Sequence, residues 1–118
     1  MIDDEELIVK SLKKLLEKNG FEVFVAKNGQ DGIIIADEEN FDLIIADMRM
    51  PGISGAEAVH KIFENLDKNN LPRYPVLFIT GYADGEMEDK AKSLNPVAYI
   101  YKPFDILELV NKIKEVVK

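Results

Sequence analysis

Three short runs, FDLIIAD (41–47), VLFIT (76–80) and VAYIY (97–101), are apolar at consecutive positions rather than at alternate ones. That constrains the fold more than any other feature of the chain. A strand with one wet face alternates, whereas a strand that is apolar on successive residues is covered on both faces. Between and around the runs lie helical patterns. From Glu5 to Lys18, Leu7, Ile8, Leu12, Leu15 and Leu16 recur at steps of three and four, and Asn19-Gly20 follows as a stop. Similar patterns cover Ile33 to Glu39, Ser54 to Asn65, Glu86 to Leu94 and 104–118. FEVFVA (21–26) is short and rich in strand formers, KNGQDG (27–32) reads as a loop, and DKNNLPRYP (67–75) is a polar, proline-broken connection. Strand and helix alternating to the end imply right-handed parallel crossovers and a doubly wound five-stranded α/β sheet.

One element of that alternation is short. In the strand order 2-1-3-4-5 the first strand is central, and here it is reduced to Met1-Ile2 ahead of DDEE. Either residues upstream of Met1 belong to the native protein, or the domain holds a stub in the central position. The 118 residues, 47% of them hydrophobic, suffice for one domain with a real core, so 1–118 is expected to form a single unit.

The chain has no cysteine, which excludes disulfide frameworks, thiol catalysis and cysteine zinc sites. Fifteen basic against twenty-two acidic side chains give a net charge of −7. Such a field repels phosphate backbones and anionic lipid, so neither direct nucleic-acid binding nor membrane association is expected. No apolar run approaches the ~20 residues of a membrane span and no leader pattern opens the sequence, so the reading is cytoplasmic. A divalent cation or a partner with a basic face suits this charge.

In an open parallel sheet, ligands bind beyond the carboxyl ends of the strands. Asp3-Asp4 follow the stub, Asp47 ends the third strand, Thr80-Gly81 end the fourth and Lys102-Pro103 the fifth. Each has an ordinary reading alone. DDEE ahead of a helix is a cap with acids on the favourable end of the dipole, Asp47 with Pro51-Gly52 is a turn, and Lys102 is a solvated lysine. Together they place three carboxylates, a hydroxyl and an ammonium around one hollow. Carboxylates this close stay ionised only beside a cation, and a hard ion such as Mg²⁺ retains open positions for a phosphoryl oxygen. A carboxylate is itself a phosphoryl acceptor, and the remaining work is positioning and charge neutralisation. On this chemistry Asp47 is the acceptor, Asp3 and Asp4 hold the metal, and Thr80 and Lys102 meet the phosphoryl oxygens.

DDEE, DMRMPGISG, FITGYAD and YIYKPF, in this order at successive strand ends, resemble the receiver domain of two-component response regulators, of the chemotaxis-regulator fold. The resemblance covers all but the first strand. It implies phosphorylation of Asp47 by a histidine kinase or a phosphotransfer protein, and Mg²⁺ held by Asp3, Asp4, Asp47 and the backbone carbonyl of Arg49. It implies Thr80 and Tyr99 as switch residues and Lys102 as the partner of the phosphoryl group. The changed surface is then the fourth helix, fifth strand and fifth helix, about Glu86 to Val117, read by a downstream protein or a fused effector domain. That face also serves homodimers in such families. Arg49 and Tyr82, two residues beyond Asp47 and Thr80, lie where the family tunes its rates, and their bulk implies slow self-dephosphorylation. The chain is accordingly read as a signalling phosphoacceptor rather than an enzyme. His60 has no second ligand in its pattern and reads as a surface histidine.

Other functions on this sequence fare less well. A haloacid-dehalogenase type phosphatase needs an acid two residues after its nucleophile, where Arg49 stands. No P-loop is present, and DDEE repels the phosphate that an FMN carrier must cradle. A non-phosphorylated interaction module on the same fold, with vestigial acids, remains the alternative.

Overall fold

The computed structural model describes residues 1–50, 52–81 and 85–117. The chain runs α1 (Glu6–Lys18), α2 (Gly29–Glu38), β1 (Ile44–Asp47), α3 (Gly55–Lys68), β2 (Val76–Thr80), α4 (Gly85–Ser93), β3 (Ala98–Tyr101) and α5 (Ile106–Val116). Helix starts are set locally. Asn28, Ser54 and Asp105 each accept a hydrogen bond from a backbone N–H of the first turn, satisfying donors that an α-helix leaves open.

The strands form a parallel sheet in the order β1-β2-β3, with Ile44 opposite Val76 and Leu77 opposite Ala98. Alternate residues divide between two cores. Ile44, Ala46, Val76 and Phe78 face α3 and α4, where Ala58, Val59, Ile62, Phe63 and Leu94 are buried. Ile45, Leu77 and Ile79 face α1 and α5, against Leu12, Leu16, Leu109, Val110 and Ile113. Covering both faces is the reason β1 and β2 are apolar at successive positions up to Asp47 and Thr80. Each fully buried large side chain contributes about 1.5–3 kcal/mol, so neither layer is dispensable.

The doubly wound fold is as expected, but among the described residues three strands form where the sequence reading placed five. Residues 21–26 form no strand, and only Ala26 enters a parallel bridge, with Ile2. A strand needs a ladder partner, and the stub offers one paired residue. Ile2 nevertheless occupies the central position of the 2-1-3-4-5 order. It bridges Ala26 on one side and Ala46 on the other, donating to Ile45 O at 2.7 Å and accepting from Asp47 N–H at 2.8 Å. Asp3 N–H donates to Ala26 O at 3.0 Å. These few bonds fix the residues that carry the acids. No helix among the described residues is long and apolar enough to cross a membrane.

Candidate functional site

Asp47 is the last residue of β1, and its side chain is only 3% exposed. Backbone register delivers it to the carboxyl edge of the sheet, and its neighbours define its carboxylate. Oδ1 accepts from the Arg49 N–H at 3.2 Å, and Oδ2 accepts from Lys102 Nζ at 3.0 Å. Arg49 itself is exposed.

Asp3 is buried, at 2% exposure, and its Oδ1 accepts from the Glu5 N–H at 2.9 Å. Asp4 is exposed beside it. One carboxylate oxygen from each of Asp3, Asp4 and Asp47 lies within 4.8 Å of the others. Burial pushes the Asp3 carboxyl up to about 6, and the negative charge of Asp47 acts the same way against the opposing Glu5 N–H and Lys102. Three carboxylates converging with one ammonium to offset them are the donor set of a hard divalent cation.

Thr80 ends β2 with no exposed surface, and its carbonyl accepts from Lys102 N–H at 2.7 Å. Gly81 follows, and the Lys102 side chain runs past it, where a Cβ would meet Lys102 Cδ at 3.6 Å. The Lys102 ammonium therefore enters the acid cluster beside the smallest residue available. Burial works against its charge, but the bonds to Glu5 and Asp47 outweigh that, and its pKa is raised above the ordinary lysine value.

Tyr99 lies in the middle of β3 on the α3–α4 side, with its ring 6.3 Å from that of Phe78 and 5.3 Å from that of Tyr101. Its hydroxyl is buried with no hydrogen-bond partner among the described residues. Burial, with the charge of Glu88, pushes it up to about 12. Tyr101 is on the same side of the sheet, exposed, and donates to Glu88 on α4. His60 is on the surface, 3.0 Å from Glu64. Tyr82 and the Pro51 of the Pro51-Gly52 turn lie outside the described residues.

The sequence-predicted residues Asp3, Asp4, Asp47 and Lys102 are thus brought together, with Thr80 at the same sheet edge and Tyr99 two residues back along β3, opposite Phe78. The sequence reading missed Glu5. Its carboxylate accepts from Lys102 Nζ, so one ammonium bridges Glu5 and Asp47. The signal was present in DDEE, whose third acid stands next to the Asp3-Asp4 pair. The capping reading fails there, because Glu5 at the N-cap position makes no side-chain cap bond.

A doubly wound parallel sheet with acids and a lysine gathered at the carboxyl ends of its strands is the architecture of a signalling receiver. The chain belongs to the response regulator receiver domain family, whose sequence model matches residues 1–114. It is 37% identical to the probable transcriptional regulator ycf29 of Porphyra purpurea over 99% of this chain and 54% of that protein. It is 30% identical to Sporulation initiation phosphotransferase F of Bacillus subtilis (strain 168), over 98% of this chain and 89% of that one. A receiver domain protein (CheY-like) from Methanospirillum hungatei JF-1 superposes with a TM-score of 0.87 at 30% identity, covering 98% of this chain and 89% of that one. The chain spans about half the length of several curated relatives it matches, among them 54% of the Porphyra regulator. The resemblance read from the four strand-end motifs is thereby established as membership, and the chain is a response regulator receiver domain of two-component signalling.

Proposed function

We propose that this chain, acting as one receiver unit, accepts a phosphoryl group on Asp47 from a phosphohistidine of a histidine kinase or phosphotransfer protein. The observation that carries this reading is the Lys102 ammonium at 3.0 Å from the buried Asp47 carboxylate, with Asp3 and Asp4 close beside it. In the transfer a carboxylate oxygen of Asp47 attacks phosphorus. The O–P bond forms as the P–N bond breaks, and the departing imidazole takes its proton from solvent.

Asp3, Asp4 and Asp47, with the carbonyl of Arg49, would hold Mg²⁺, which supplies charge neutralisation for the phosphoryl oxygens. The chain's own part is placement. The sheet fixes Asp47, the paired backbone of Ile2 fixes Asp3, and Lys102 offers its ammonium to one phosphoryl oxygen. Thr80 offers its hydroxyl to another, and because it is fully buried it must shift to do so. Tyr99, on the adjacent strand with a buried hydroxyl that has no hydrogen-bond partner among the described residues, is the side chain best placed to follow that shift.

Phosphorylation then biases an equilibrium between two states of the surface formed by α4, β3 and α5. A downstream protein, a fused effector domain or a second copy of the chain reads the favoured state. Arg49 and Tyr82, two residues beyond Asp47 and Thr80 respectively, slow attack by water, so the phosphoryl group persists for minutes or longer. The acidic balance suits a basic partner surface in the cytoplasm and neither nucleic acid nor membrane.

Calorimetric titration with Mg²⁺ tests the metal half of this reading against vestigial acids. One site is expected, lost in Asp3→Asn and in Asp47→Asn. Absence of binding in the unsubstituted protein would overturn it.

A further inference from the structure

Glu5 stands one residue beyond the acid pair, yet its carboxylate turns to Lys102 and not toward Asp3 and Asp4. Lys102 is 15% exposed and Glu5 50% exposed, so the pair sits at the mouth of the site, with the ammonium reaching inward to Asp47 and outward to Glu5. An open hollow of about 560 Å³ borders it, lined by Glu5, Leu7, Gly81, Lys102 and Phe104. Glu5 has room there to swing away from the ammonium without disturbing a packed neighbour.

We propose that Glu5 is a built-in competitor for Lys102, holding the ammonium in the unphosphorylated protein and yielding it when a phosphoryl group arrives on Asp47. The inference rests on the phosphoacceptor reading and adds to it a residue that sets how readily the site is charged. An ammonium has three donors and satisfies two carboxylates with ease. A tetrahedral phosphoryl group on Asp47 adds close acceptor oxygens and negative charge on the inner side. The nearby Glu5 carboxylate then repels that charge and competes for the same donors. Charging the site therefore costs the Glu5 bond, and removing Glu5 makes charging easier while leaving Asp3, Asp4 and Asp47 intact.

The test is the dissociation constant for beryllofluoride, a phosphoryl mimic, measured by NMR titration at saturating Mg²⁺ for the unsubstituted chain, Glu5→Gln and Glu6→Gln. Glu6 controls for charge alone, since it is exposed and pairs 3.5 Å away with Lys27. Glu5→Gln is expected to bind roughly two- to fivefold more tightly, the range for loss of a half-exposed ion pair. Glu6→Gln is expected to match the unsubstituted chain. Equal or weaker binding by Glu5→Gln, or equal tightening in both variants, would overturn the role of Glu5. Failure of all three proteins to bind would instead overturn the phosphoacceptor reading on which it rests.

Discussion

Lys102 Nζ and Asp47 Oδ2 are 3.0 Å apart although 55 residues separate them in the chain, and the Asp47 carboxylate is almost wholly buried. Removing the ammonium leaves that carboxylate facing Asp3 and Asp4 without a counter-ion. Lys102→Met should destabilise the metal-free protein by about 2–4 kcal/mol in urea unfolding, somewhat under the ~3–5 kcal/mol for breaking a fully buried pair because the ammonium is partly exposed. Millimolar Mg²⁺ should recover much of the loss. Equal destabilisation with and without the cation would show that Lys102 acts through packing and not through charge.

Asp3 yields a pH prediction whose sign follows from its buried position. Its carboxyl titrates near 6 when folded against an ordinary 3.8. Below 3.8 both states hold the proton and nothing is lost; between 3.8 and about 6 the unfolded chain ionises while the folded one keeps its proton, so stability falls across that window and levels off once the buried group ionises above 6. Asp3→Asn, neutral throughout, should therefore match the unsubstituted chain near pH 3.5. It should exceed it by about 2–3 kcal/mol at pH 7.5 in a metal-free buffer. Paired urea titrations at the two pH values measure this. A constant difference between the proteins would contradict it.

Gly55 opens α3 directly behind the acceptor. A Cβ there would stand 2.1 Å from the Asp47 carbonyl oxygen and 2.8 Å from its carbonyl carbon, both backbone atoms that cannot turn aside. Gly55→Ala should cost at least ~2 kcal/mol, and because the displaced backbone is that of Asp47, Mg²⁺ affinity should fall with it. Unfolding and calorimetry on the same variant check both. A stable protein with weakened metal binding would still support the positioning role, whereas full stability and full affinity would not.

The sheet was legible because β1 and β2 are buried on both faces and β3 is partly so, and burial writes itself into composition. The site was legible because acids, a threonine and a lysine recur where strands end. What escaped depends on tertiary contact. FEVFVA has strand-forming residues but lacks a ladder partner, and propensity does not supply one. KNGQDG reads as a loop, yet Asn28 caps α2 within it. Gly32 lies inside that helix because a Cβ would come within 2.6 Å of Ile2 Cδ1. Glu5 was hidden among acids that look like caps, since its partner Lys102 is 97 residues away.

Intact mass after incubation with acetyl phosphate, with and without Mg²⁺ and with Asp47→Asn beside it, tests the central claim most directly. The account predicts a metal-dependent gain of one phosphoryl group that is absent from the variant. No gain in the unsubstituted chain, or an equal gain in Asp47→Asn, would contradict it.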